Sequence, residues 1–182
     1  MMQRILPALL LAFAAGTVQA QTAAPAQTAA QPSAAVGTVR DIWSTLTGYI
    51  TTAAEEAPDS LFAYKPTPEV RSFGQLVAHV AGAQHLICGA AMNEDGGAEN
   101  QIEEKNLGKA ELVAALKKST EYCNKAYAQS DADAQKATRL FGQEQTRLFA
   151  LTLNAAHNGE HYGNMVTYLR INGIVPPSSR RQ

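Results

Sequence analysis

The sequence predicts an all-α domain: a four-helix bundle with a crossover connection, in which the second and third helices run parallel. Three observations carry that expectation. Four long segments space their apolar residues three and four apart, as one face of an α-helix does, and none sustains the alternation of period two that a strand needs. Proline or glycine punctuates the ends of these segments. The links between them are long, 13 residues over 59–71, 15 over 94–108 and 11 over 131–141, whereas a simple up-down-up-down bundle uses short loops.

Residues 1–20 read as a signal peptide. Arg4 gives a positive start, 5–15 is an apolar run of 11 residues, and Val18-Gln19-Ala20 offers the small residues of a cleavage site. The run is shorter than the roughly 20 residues a permanent span requires. Residues 21–35 are Gln, Thr, Ala, Pro and Ser without charge, the composition of a flexible leader. The folded domain is then expected over 36–177, with a tail at 178–182, in a periplasmic or secreted protein. Removing Arg4 and no acid takes the net charge from -1 to -2. A chain so near neutrality has no electrostatic footprint for nucleic acid or an anionic membrane.

The first helix, over 35–57, carries the stripe Val39, Trp43, Leu46, Ile50 and Ala53, and Pro58 ends it. Pro66 and Pro68 keep the following link out of a helix interior. The second helix begins at Ser72, because Ser72 and Gln75 form an S-x-x-Q capping box, and ends near Asn93. Its stripe includes Leu76, His79, Gly82 or Ala83 and Leu86. The small residues one turn after His79 are expected to make room for the side chains of another helix. The third helix is expected over 109–130 and the fourth over 142–172, with Gly173 as its left-handed cap and Pro176-Pro177 forbidding continuation.

His157 and His161 are four apart on the fourth helix, one turn apart on one face, and two imidazoles so placed can grip one divalent ion. A centre that does chemistry commonly has three protein ligands and an open position. His79 supplies the third, since it lies on the apolar stripe of its helix. His85 is six residues on, about 240° around, and points elsewhere. Three of the chain's 4 histidines thus fall on core-facing stripes, so a metal site weighs evenly against histidines that are merely hydrogen-bonded in the core. Glu160 and Tyr168 are the candidates for handling protons or substrate. Asn154 and Asn164 recur on the same side of the helix, where they either line a polar pocket or bond within the bundle. Arg147 and Arg170 read as surface charges. The pair also spells H-x-x-E-H, a protease signature that needs a further acidic ligand downstream, but none of the 21 residues after His161 is Asp or Glu.

Cys88 and Cys123 are the only cysteines, and an even count in an exported chain favours a disulfide over two buried thiols. They lie level only if the second and third helices are parallel.

The stretches RSFGQLVAHVAGAQHLIC (71–88) and LNAAHNGEHYGNMVTYLRINGIVPP (153–177) resemble the DinB-like superfamily of four-helix metalloenzymes. The resemblance spans nearly all of 36–177. It implies a bundle with a parallel crossover, one histidine from the second helix and two from the fourth, matching His79, His157 and His161. It also implies nickel or zinc held by those histidines and water. Some members of that superfamily are transferases or isomerases that use bacillithiol or mycothiol, and dimers are common. The export signal departs from the cytosolic setting of such thiols. The function expected is an exported metal-dependent enzyme, of transferase or hydrolase type, acting on a small molecule. The alternatives are a non-enzymatic bundle that binds metal or a small ligand, and a metal-free one.

Overall fold

The computed structural model describes residues 34–180, so the expected signal peptide and most of the leader lie outside the described residues. Four long helices carry the domain: α1 (Ala34–Glu56), α3 (Phe73–Met92), α4 (Lys109–Ala126) and α6 (Arg147–Ile171), with two single-turn helices, α2 (Asp59–Phe62) and α5 (Asp131–Ala134), between them. A small antiparallel hairpin, β1 (Ala137–Leu140) and β2 (Gln143–Thr146), precedes α6.

α3 lies at the centre because it is apolar on nearly every side. Such a helix is stable only when neighbours cover all of it. α4 packs on one side of it and α6 on another, and α1 lies against α6. One apolar cluster joins Phe73 and Leu76 of α3 and Leu112 and Leu116 of α4 to Ile50 of α1 and Leu169 of α6. A second joins Ile87 and Cys123 to Trp43 and Leu151. The first cluster thus takes the early parts of α3 and α4 and the late parts of α1 and α6. The second takes the opposite parts. α3 and α4 therefore run parallel and α1 and α6 run against them, the crossover expected from the loop lengths.

A buried polar layer fixes the register of all four helices. Trp43 Nε1 donates to Gln84 Oε1 at 2.8 Å, Gln84 Nε2 donates to Ser119 Oγ at 2.9 Å, and Asn158 Nδ2 donates to Thr47 Oγ1 at 2.9 Å. A buried amide or indole without a partner costs more than its hydrogen bond gains, so slipping any one helix by a turn breaks at least one of these, and slipping α1 or α3 breaks two.

Local expectations held at several positions. Ser72 Oγ accepts from Gln75 N at 3.1 Å, while Gln75 Oε1 accepts from Ser72 N at 2.9 Å, the capping box in full. Gly173 adopts φ +72 after α6. Cys88 and Cys123 form a disulfide with Cα atoms 5.3 Å apart, which the parallel pairing of α3 and α4 makes possible.

Other boundaries differ. α4 stops at Ala126 rather than Ser130, and α6 starts at Arg147 rather than Gly142. The hairpin occupies the residues just ahead of α6, and residues 127–130 form a turn instead of a further turn of α4. Phe141 and Gly142 both have positive φ, +49 and +77, which is the two-residue turn that matches the twist of a hairpin. Thr138 and Leu140 are buried while Ala137 and Arg139 are exposed, but an alternation of four residues is too brief to stand out against helical periodicity. Residues 59–62 form a turn of helix because Pro58 precedes it, where its ring is tolerated. The tail is also ordered where it is described: Tyr162 Oη donates to Ser178 Oγ, and Arg180 pairs with Glu56 of α1.

Candidate metal centre

His79 lies two turns into α3, where the Ser72 cap anchors the helix start. His157 and His161 project from α6, which faces α3 along its length. The three rings meet. His79 Nε2 is 3.2 Å from His157 Nε2, which is 3.0 Å from His161 Nε2, and one ring nitrogen from each residue lies within 4.8 Å of the others. Donors held about 2.0 to 2.1 Å from a tetrahedral ion stand about 3.3 Å apart, so these spacings fit a common ion with little movement. His79 and His161 are buried, 5% and 7% exposed, and His157 is partly covered.

The surroundings favour neutral, ligand-ready rings. Burial is the main cause that lowers His79 to a pKa of about 4, with the electrostatic influence of Arg71 and His161 adding to it against a hydrogen bond to the Asn100 side chain. Burial, then the charges of His161, His79 and Arg71, take His157 to about 3. His161 is lowered too, chiefly by burial, with Glu160 opposing. Lone pairs are therefore available at neutral pH, and protons compete weakly for them.

A pH dependence follows for metal-free protein. In the unfolded chain these rings take up protons near the ordinary value of 6.5, while in the folded chain two of them resist until about pH 4 and 3. The unfolded state binds more protons in between, so the stability they permit is complete above about 6.5 and is lost as the pH falls. In chelator, Tm is expected to drop from pH 6.5 to 5, and His79→Ala to flatten that drop. Thermal melts at half-unit steps check it, and a flat wild-type profile contradicts it.

Behind His79 stands a carboxylate that the sequence did not flag. Glu103 Oε2 is 3.8 Å from His79 Nδ1, and Arg71 Nε lies 3.2 Å from each oxygen of Glu103. That distance is electrostatic rather than hydrogen-bonded. It still favours a proton on Nδ1 and leaves Nε2 free to ligate. Glu99 is nearer the cluster, with Oε1 3.6 Å from His79 Nε2 and 4.0 Å from His157 Nε2. Both acids come from the polar link after α3, where helical periodicity says nothing about side-chain direction. The available signal was Gly82, a glycine inside an apolar helix, which marks a close backbone approach. The sequence led us to expect the side chains of another helix there; the visitor that Gly82 admits is instead the backbone of Glu99.

The remaining candidates divide. Glu160, Asn164 and Tyr168 line, with His161, a cavity of about 540 Å³ that also takes in Lys65 and Arg71. The Tyr168 hydroxyl donates to the Arg71 carbonyl at 2.8 Å and so secures the segment that leads into α3. Asn154 belongs to the bundle interior instead, with Nδ2 3.3 Å from Tyr127 Oη and 3.4 Å from Cys88 Sγ. His85 faces away and packs on Tyr122, ring centroids 5.0 Å apart. Arg147 is half-buried with its Nε covered, while Arg170 is exposed and donates to Ser179.

Comparison with known proteins agrees with this architecture. A family model described as the DinB superfamily matches residues 43–165, about two-thirds of the chain. The chain belongs to the DinB superfamily. All three histidines of the cluster lie inside the matched DinB region. Among solved structures, a DinB-like protein from Bacillus cereus ATCC 10987 superposes with a TM-score of 0.65 at 15% identity, covering 76% of this chain and 93% of that one. A DinB-like protein from Bacillus subtilis gives 0.62 at 21% identity, covering 80% and 99%. A mycothiol-dependent maleylpyruvate isomerase gives 0.60 at 13%, covering 74% of this chain and 65% of its own. At such identities the likeness is one of fold. No curated protein matches the sequence.

Proposed function

We propose that this DinB-superfamily chain is an exported enzyme that holds one divalent ion, nickel or zinc, on His79, His157 and His161, and carries out transferase- or hydrolase-type chemistry on a small polar molecule. The observation that carries the reading is the cavity beside the cluster, with His161 in its wall: a ligand there can reach the ion without the bundle opening. Three imidazoles and no thiolate suit a borderline divalent cation. When bound, such an ion lowers the pKa of water or a thiol and polarises an oxygen of the substrate.

The chain's own residues do the rest. Burial among α1, α3 and α6 keeps the rings neutral. Glu160, exposed at the cavity edge next to His161, takes up and returns a proton at its carboxylate. Lys65 brings an exposed ammonium to the same cavity and suits an acidic substituent on the substrate. Export is supported by the amino-terminal pattern and by the disulfide, since such bonds persist in oxidising compartments. No helix among the described residues is long and apolar enough to cross a membrane.

The test is a survey of the full chain, produced without a histidine tag and loaded with nickel or zinc, against esters, amides and electrophiles with and without added thiols. The expected result is turnover that needs the ion and falls at least about tenfold in Glu160→Gln, the lower end for loss of a positioned acid or base being about a hundredfold when proton transfer limits the rate. Turnover that is equal in metal-free protein contradicts the reading.

A further inference from the structure

α3 carries two glycines on the side along which the 94–108 link returns. A Cβ on Gly82 would lie 2.0 Å from the carbonyl oxygen of Glu99, and one on Gly89 would lie 2.7 Å from Gly96 N and Cα. Gly96 is equally confined, since its own Cβ would meet the His85 carbonyl oxygen at 2.0 Å. Glycine is unfavourable inside a helix, and no larger residue fits at these points. The link is therefore pressed onto α3 at two places two turns apart, and the nearer one to the histidines delivers Glu99.

The carboxylate of Glu99 has no hydrogen bond among the described residues, and its ion-pair neighbours there are the two rings, Oε1 standing 3.6 Å from His79 Nε2 and 4.0 Å from His157 Nε2. Its side chain is 35% exposed, so it is not forced there by lack of room. Neutral imidazoles offering lone pairs give an anion nothing to bind. A cation among the four groups does. Donors around a tetrahedral ion stand about 3.3 Å apart, so the carboxylate has to close by about 0.3 Å on His79 Nε2 and about 0.7 Å on His157 Nε2, and swing toward His161, to reach that spacing.

We propose that Glu99 is the fourth protein donor, a carboxylate that caps the face of the ion left open by the three histidines. The inference rests on the three-histidine reading. Because Glu99 sits on a link and not on a helix, it is the ligand that can swing aside when a substrate oxygen or sulfur arrives, while the rings stay fixed by the bundle.

The experiment is competition of the full chain with a chelator for zinc, together with the visible spectrum of the cobalt-loaded protein, for wild type, Glu99→Gln, Gly82→Ala and the exposed neighbour Glu104→Gln. Wild type is expected to bind one ion, and Glu99→Gln to bind it at least about tenfold more weakly with an altered cobalt spectrum. Gly82→Ala, which cannot leave the Glu99 backbone where it is, shifts in the same direction, and Glu104→Gln matches wild type. Unchanged affinity or an unchanged spectrum in Glu99→Gln overturns the proposal, as does an equal loss in Glu104→Gln. A weakened Gly82→Ala beside an unaffected Glu99→Gln overturns it too. If wild type itself binds no ion, the three-histidine reading fails first; if it binds and Glu99→Gln is indifferent, only the fourth donor is lost.

Discussion

Replacing His157 and His161 together by alanine is expected to take bound metal from about one ion per chain to background and to abolish the thermal stabilisation that added metal gives. Three nitrogens converge within 4.8 Å in the wild type, and the double variant leaves only His79 of the three. Losing even an outer-shell partner of a ligand commonly costs 10- to 100-fold in affinity, so removing two ligands outright costs more than about 100-fold. At a metal concentration of about 100 times Kd, wild type gains about 2.7 kcal/mol, which raises Tm by roughly 5 to 10 °C in a domain of this size. The variant gains nothing. His85→Ala keeps both the metal and the shift, since its ring packs on Tyr122. Elemental analysis and paired melts check this. Equal metal in wild type and double variant contradicts it.

The second large effect is on stability alone. Converting Cys88 and Cys123 together to serine opens a loop spanning a sequence separation of 35. The chain-entropy estimate for such a loop is about 3 to 4 kcal/mol, or roughly 6 to 16 °C in Tm. Both sulfurs are fully buried, and Asn154 Nδ2 lies 3.4 and 3.7 Å from them. The bridge ties α3 to α4 in the apolar cluster that holds Trp43 and Tyr127, whereas His79 lies nine residues back along α3 on its opposite side. Metal affinity measured well below the lowered Tm is therefore expected to stay within about threefold of wild type. Denaturant titration gives the first quantity and chelator competition the second. A loss under about 1 kcal/mol contradicts a structural bridge.

Much of this was legible in the chain because the relevant signals are local. The Ser72–Gln75 box, the glycine at 173 and the four-residue step from His157 to His161 each follow from backbone geometry over a turn or less. The parallel pairing of α3 and α4 followed from loop length, and the disulfide in turn required it. The hairpin escaped because four residues per strand alternate too briefly, and because Phe141 holds a positive φ that its side chain does not advertise. Arg71, Glu99 and Glu103 escaped for a different reason. Glu99 and Glu103 reach the histidines through the link after α3, whose path is set by Gly96 fitting against α3 and by the room that Gly82 of α3 leaves, and Arg71 just ahead of α3 meets them only through Glu103, tertiary facts with no period in the sequence. Asn154 shows the converse: its position on α6 matched the histidine face, but the disulfide and Tyr127 claim it.

The claim on which all else depends is that three imidazoles share one ion. X-ray absorption at the metal edge of the zinc- or nickel-loaded chain measures this directly. The account predicts nitrogen or oxygen neighbours only, at about 2.0 to 2.1 Å, with the outer-shell pattern of three imidazoles, reduced to two in His79→Ala. A sulfur shell near 2.3 Å, or a spectrum without imidazole scattering, would contradict it.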